Sequence, residues 1–143
     1  MRVRRYACLA WCALLCLGAM EADVQGLQRK VLSSSVRPIK AAHGQAGIPL
    51  ENGRTLPFVV RRGWSAPAGH YLERWFIVKR DGEVLFEGPV RPELLIWGLQ
   101  SLTEVVDDVL EPIPLSPGKY SIVFALGGVK GGSIELEAAE IGS

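Results

Sequence analysis

Few residue types in this chain could carry chemistry, and their spacing limits what they could do. The two histidines are His43 and His70. A metal centre built on them would need a further ligand from Glu73, Asp107 or Asp108, and no pair stands at a recognised ligand spacing. His70 follows Ala68-Gly69 at the start of an extended stretch and reads as a surface loop residue. Asp107-Asp108 could supply paired carboxylates for acid–base work, but reads more readily as a solvated turn or helix face. Ser33-Ser34-Ser35 lacks a Gly-x-Ser-x-Gly elbow. Gly127–Gly132 reads Gly-Gly-Val-Lys-Gly-Gly. A phosphate loop needs Ser or Thr after the lysine and a helix behind it. Here Gly131 follows Lys130 between strand-like flanks, so a flexible hairpin tip is expected. The three cysteines, Cys8, Cys12 and Cys16, all fall in the first twenty residues. The residues therefore supply no catalytic set, no metal ligands and no cofactor-binding motif. A non-enzymatic chain without cofactor is the expectation.

The aromatic residues give the stronger binding signal. Trp64, Tyr71, Trp75 and Trp97 are many for a small β protein. Trp64 stands in a Gly/Pro-rich stretch, Gly63–Gly69, where tryptophan can anchor a partner or cap the end of a fold. A second candidate surface comes from the hairpin around Asp81-Gly82. A two-residue turn there pairs Arg80 with Glu83, Lys79 with Val84, Val78 with Leu85 and Ile77 with Phe86. Trp75, Ile77, Val84 and Phe86 then face the core. Phe76, Val78 and Leu85 form an apolar strip on the other face, framed by Arg74, Arg80, Glu83 and Glu87. Such a strip is covered by another part of the chain or by a partner.

The elements that must position these residues begin after a targeting segment. Met1-Arg2-Val3-Arg4-Arg5 is cationic, and Tyr6–Met20 carries no charge. This is the layout of a secretory signal peptide over residues 1–22, with Ala19 or Ala22 before the cut. The run is short for a membrane span. Export to a secreted or periplasmic location is expected. The remaining chain, 23–143, holds no cysteine, so its core alone must stabilise it in an oxidising space. At 143 residues, 48% apolar and 22% charged, the whole chain excludes disordered, collagen-like and polytopic membrane classes. The formal net charge of +1 argues against a nucleic-acid or membrane footprint. Basic residues concentrate before Asp81 and acidic ones after it. That split reads either as a dipolar surface or as strands from the two halves interleaving.

Residues 23–54 read as an extended arm with an edge strand within Val31–Ala41. Strands follow over Thr55–Arg62, Tyr71–Arg80, Glu83–Gly88, Ser121–Leu126 and Ser133–Glu140. Leu95, Leu99, Leu102, Val106 and Val109 recur at helical spacing, and Pro92 and Glu93 suit a helix start. A helix over Pro92–Leu102 is favoured over two short strands around Asp107-Asp108. No internal repeat occurs.

Leu115-Ser116-Pro117-Gly118-Lys119-Tyr120 leads into Ser121–Leu126. This stretch resembles the tyrosine corner of immunoglobulin-like and fibronectin type III-like sandwiches, in which the hydroxyl bonds back to the upstream backbone. With the Asp-Gly hairpin it is also similar to bacterial sandwich domains of the BsuPI protease-inhibitor type. The resemblance covers about a dozen residues and implies that Tyr120 is a corner residue and Leu115 a core residue. The expectation is an antiparallel immunoglobulin-like β-sandwich of about seven strands, spanning 55–143 and folding as one unit with the 23–54 arm. Its expected role is an exported, non-catalytic binding or assembly module. The alternative is a protease inhibitor or loop-presenting regulator acting through Gly63–Gly69. Another protein is the favoured partner, carbohydrate ranks below it, and nucleic acid and stable membrane insertion are excluded.

Overall fold

The computed structural model describes residues 28–40, 42 and 46–141. The targeting segment 1–22 and His43 lie outside the described residues. Among the described residues the chain forms eleven strands and no α-helix. Strands β1 (Lys30–Pro38), β4 (Phe58–Ser65) and β9 (Thr103–Val109) make an antiparallel three-stranded sheet in the order β1-β4-β9. A six-stranded sheet runs β3 (Arg54–Thr55), β2 (Ile48–Glu51), β11 (Val129–Glu140), β10 (Gly118–Leu126), β6 (Glu73–Val78), β7 (Val84–Glu87). It is mixed, because β11 and β2 run parallel, and it curls into a half-barrel. A ribbon of β5 (Gly69–Tyr71) and β8 (Leu94–Ile96) completes the fold. The expected edge strand within Val31–Ala41 is β1. Eleven strands in three sheets replace the expected seven.

Alternation builds the core. Inward positions are Phe58, Val60 and Trp64 on β4, Val105 and Val109 on β9, Trp75 and Ile77 on β6, and Tyr120, Ile122, Phe124 and Leu126 on β10. All are buried, so the two larger sheets share one core. The Tyr120 hydroxyl donates to the carbonyl of Ser116 at 2.6 Å, and Leu115 is buried beside the core.

The helix over Pro92–Leu102 does not form. Leu94–Ile96 is strand β8, and the chain then turns through Gly98, whose φ of +144° a helix cannot hold. Of the row at helical spacing, Leu95, Leu99, Leu102 and Val106 are exposed and Val109 alone is buried. Period-two alternation of Val105, Asp107 and Val109 on β9 decides the outcome. Asp107-Asp108 is accordingly mid-strand and not a turn.

The central hairpin also departs from expectation. The Gly82 amide donates to the Lys79 carbonyl at 2.9 Å, and Gly82 adopts φ +88°, so the loop has three residues, Arg80-Asp81-Gly82. This shifts the register by one, giving Val78 opposite Val84. A bulge at Leu85 shifts it back, giving Ile77 opposite Phe86. Leu85 and Phe86 therefore both pack on the core, whereas Val84 lies on the outer side with Val78. The Gly127–Gly132 tip is tighter than expected. Gly127 and Gly128 alone make the turn, and Gly131 and Gly132 belong to β11.

Candidate functional site

The inward face of β4 carries an arginine among Phe58, Val60 and Trp64. Arg62 is fully buried, and its guanidinium is completely engaged. Nε and Nη2 donate to Oε2 and Oε1 of Glu73 on β6, at 2.7 and 2.5 Å. Nη1 meets Oδ2 of Asp107 on β9 at 2.8 Å. Two indoles complete the acceptors. Trp64 Nε1 donates to Glu73 at 2.9 Å, and Trp75 Nε1 donates to Asp107 at 2.8 Å. The half-buried Arg91, in the β7–β8 connection, pairs with Oδ1 of Asp107 and also donates to the Val106 carbonyl at 3.3 Å. Two cations thus balance two carboxylates inside the core. Of the three pairs only Arg62–Asp107 joins the basic and acidic halves of the chain; Arg62–Glu73 and Arg91–Asp107 each fall within one half.

Burying such charges is costly unless every acceptor and donor is matched. Here the fork of Arg62 matches the Glu73 carboxylate bidentately. Two glycines let the tryptophans reach their acceptors. A Cβ on Gly88 would lie 2.2 Å from the Trp75 ring, and one on Gly131 would lie 2.1 Å from the Trp64 ring. The cluster is a fixed ionic tie between the sheets. Its carboxylates face guanidinium and indole groups, which leaves no open position for a reacting molecule.

The tie lies toward one end of the molecule. Ile39 and Leu110 are at the opposite end, and five of the ten exposed large hydrophobics among the described residues lie at the end that holds the tie. There β4 ends and β9 begins, with Trp64 opposite Thr103. β6 begins beside the end of β10, with Glu73 opposite Leu126. The β5–β8 ribbon joins them: His70 lies opposite Leu95, and the Gly127 amide donates to the Leu72 carbonyl at 2.7 Å. Ser65 Oγ donates to the Leu99 carbonyl at 3.2 Å, which fixes the β8–β9 loop onto β4. This end presents Leu72, Leu95, Trp97, Leu99 and Leu102 to solvent, and Trp97 is 76% exposed.

The structure redistributes the residues singled out in the sequence. Trp64 is not a loop anchor. It lies inside β4 with no solvent exposure, because Gly63–Ser65 continue the strand and only Ala66–Ala68 connect to β5. The inhibitor-type loop Gly63–Gly69 is therefore not formed. Phe76 and Val78 face outward from the six-stranded sheet beside Val123 and Ser121, yet Phe76 is buried and Val78 half-buried. Leu85 packs on the core, so the three do not make one strip. His70 is exposed in β5. Ser33, Ser34 and Ser35 line a shallow depression of about 250 Å³ with Arg61, Glu104 and Val106. Among the described residues, no three His, Cys, Asp or Glu side chains gather as metal ligands. Also among them, no helix is long and apolar enough to cross a membrane. Arg62 and Arg91 escaped the sequence reading, and Trp97 was noted there without a role.

No family model matches the chain, and no curated protein does. Among solved structures it is similar to Pseudomonas fluorescens alkylpurine DNA glycosylase AlkC bound to DNA containing an abasic site analog. Identity is 18%, the TM-score is 0.49, and the match covers 78% of this chain and 30% of the glycosylase chain. This chain thus corresponds to less than a third of that protein, and a likeness of this degree assigns no chemistry. The exclusion of nucleic acid, drawn from net charge, does not stand. A net charge sums over the whole surface and is silent on local basic patches.

Proposed function

We propose that the chain is an exported, non-catalytic binding or assembly module, an immunoglobulin-like sandwich that presents its ligand at the Trp97 end. The observation that carries this reading is the pairing of a tied interior with an apolar end. Trp64 and Trp75 are held by buried carboxylates, while Trp97 stands almost free in solvent with Leu99 and Leu102 beside it. A large aromatic residue with aliphatic neighbours, left uncovered on a rigid frame, has the composition of a recognition surface. Export rests on the cationic start and the uncharged run Tyr6–Met20.

The test separates folding from association. The triple variant Trp97→Ser, Leu99→Ser, Leu102→Ser should unfold within about 1–2 kcal/mol of the parent, the sum of three surface changes. In cells that make the protein naturally, the parent should run in a high-molecular-weight or envelope fraction and the triple variant should leave it. A triple variant that retains the parent's fractionation contradicts the proposal.

A further inference from the structure

We infer that the open edge of β9 takes up a cationic, extended segment of a partner protein as an added strand. This goes beyond the reading above, since the edge meets the Trp97 end only at Leu102 and does not depend on it. β9 ends the order β1-β4-β9, so one of its sides has no strand. Parity decides which backbone groups point there. The Ile39 amide donates to the Pro57 carbonyl at 3.1 Å, continuing the β1–β4 ladder. Odd-numbered residues of β4 therefore bond to β1, and Phe58, Val60 and Arg62 bond to Val109, Asp107 and Val105 of β9. The N–H and C=O groups of Glu104, Val106 and Asp108 then point away from the sheet. Arg91 agrees with this, because its Nη2 reaches the Val106 carbonyl from that side at 3.3 Å. That carbonyl keeps a second lone pair.

The other strand edges are guarded. β7 has four residues and a bulge, β3 has two residues, and β5 and β8 have three each. The far side of β1 lies against β11, where a Cβ on Gly132 would sit 3.1 Å from Val31. β9 has seven residues in unbroken register, with no proline and no lysine. None of the usual devices that blunt an edge is built into it.

The side chains along this edge select the partner. Leu102, Glu104, Val106, Asp108 and Leu110 alternate apolar and acidic, and all five are exposed. Among the described residues neither acid forms an ion pair. Arg61 stands opposite Val106 on β4 beyond pairing distance of both, and Arg37 is a further strand away, opposite Val59. Arg91 is already held by Asp107. Exposed Glu93 and Glu111 flank the strand with the same sign. A second copy fits poorly, because two β9 strands paired antiparallel about Val106 set Glu104 opposite Asp108 twice. A strand with lysine or arginine opposite both acids, and apolar residues opposite Leu102, Val106 and Leu110, complements the whole row.

Fluorescence anisotropy of labelled peptides on the full chain tests the inference. The probe is Leu-Thr-Lys-Thr-Val-Thr-Lys-Thr-Leu, which reads the same in either direction, and its counterpart with glutamate at both lysines. The lysine peptide should bind saturably and at least about tenfold more tightly than the glutamate peptide. Glu104→Lys with Asp108→Lys should reverse that preference, and Trp97→Ser should leave it unchanged. Strand addition is separated from plain charge attraction by methylating peptide amides, which leaves the protein untouched. Methyl groups on the lysine and central valine amides, which would face β9, should abolish binding. Methyl groups on the threonine amides, which would face away, should not. No saturable binding of the lysine peptide, equal binding of both peptides, or equal loss from both methylation patterns overturns the inference. A chain that sediments as a dimer and becomes monomeric in the charge-reversed variant would make a second copy the occupant, and overturns it as well.

Discussion

The indole N–H of Trp75 donates to Oδ2 of Asp107 at 2.8 Å, joining a strand of the six-stranded sheet to an edge strand of the three-stranded sheet. The same oxygen receives Arg62, which also holds Glu73 beside Trp75 on β6. The tie therefore fixes how the two sheets sit on each other, and it does so with side chains that an apolar core would not use.

Removing Arg62 should expose the cost of that choice. Arg62→Met leaves Glu73 without a cation in the core and should cost about 3–5 kcal/mol in urea unfolding. Arg62→Met with Glu73→Met leaves Arg91 balancing Asp107, so the pair of changes should cost less than the single one. A loss within about 0.5 kcal/mol for Arg62→Met would show that the cluster contributes little. The exposed pair Arg74–Glu87, at 3.2 Å, should by contrast yield under about 1 kcal/mol on Glu87→Gln.

The inward parity of these charges is present in the sequence, but reading Asp107-Asp108 as a solvated turn or helix face passed over it. Arg62 is in phase with Phe58, Val60 and Trp64, Asp107 with Val105 and Val109, and Glu73 with Trp75 and Ile77. A charge in phase with a buried row signals a buried partner. Which strand supplies that partner was not legible, because β4 pairs with β9 across a separation of about forty to fifty residues. The hairpin bulge was equally hidden: Asp81-Gly82 allows a two- or three-residue loop, and Val84 and Leu85 are both apolar. For Trp64 and Trp97, small and turn-forming neighbours look alike in sequence. Only strand continuation through Gly63–Ser65 buries the first.

Tyr120→Phe should cost about 1–3 kcal/mol in denaturant unfolding, because the Ser116 carbonyl loses its donor in a part-buried setting. A change inside about 0.5 kcal/mol would mean that water replaces the hydroxyl and that the corner adds nothing.

Gly88→Ala should destabilise more than Gly53→Ala. The added methyl at Gly88 falls on the Trp75 ring, whereas at Gly53 it meets open space and only the φ of +73° opposes it. Expected losses are about 1–3 kcal/mol for the first, as in overpacking, and about 1 kcal/mol for the second. Thermal unfolding of the two variants side by side checks the order. The reverse order would place Trp75 away from Gly88.

The central claim is that the exposed end carrying Trp97 contacts the ligand and that the buried tryptophans do not. A photoreactive phenylalanine analogue at position 97, compared with one at the remote and exposed position 137, measures this directly in cells that make the protein. Irradiation should give a covalent adduct from position 97 and none above background from position 137. Adducts of equal yield from both positions, or from position 137 alone, would contradict the claim.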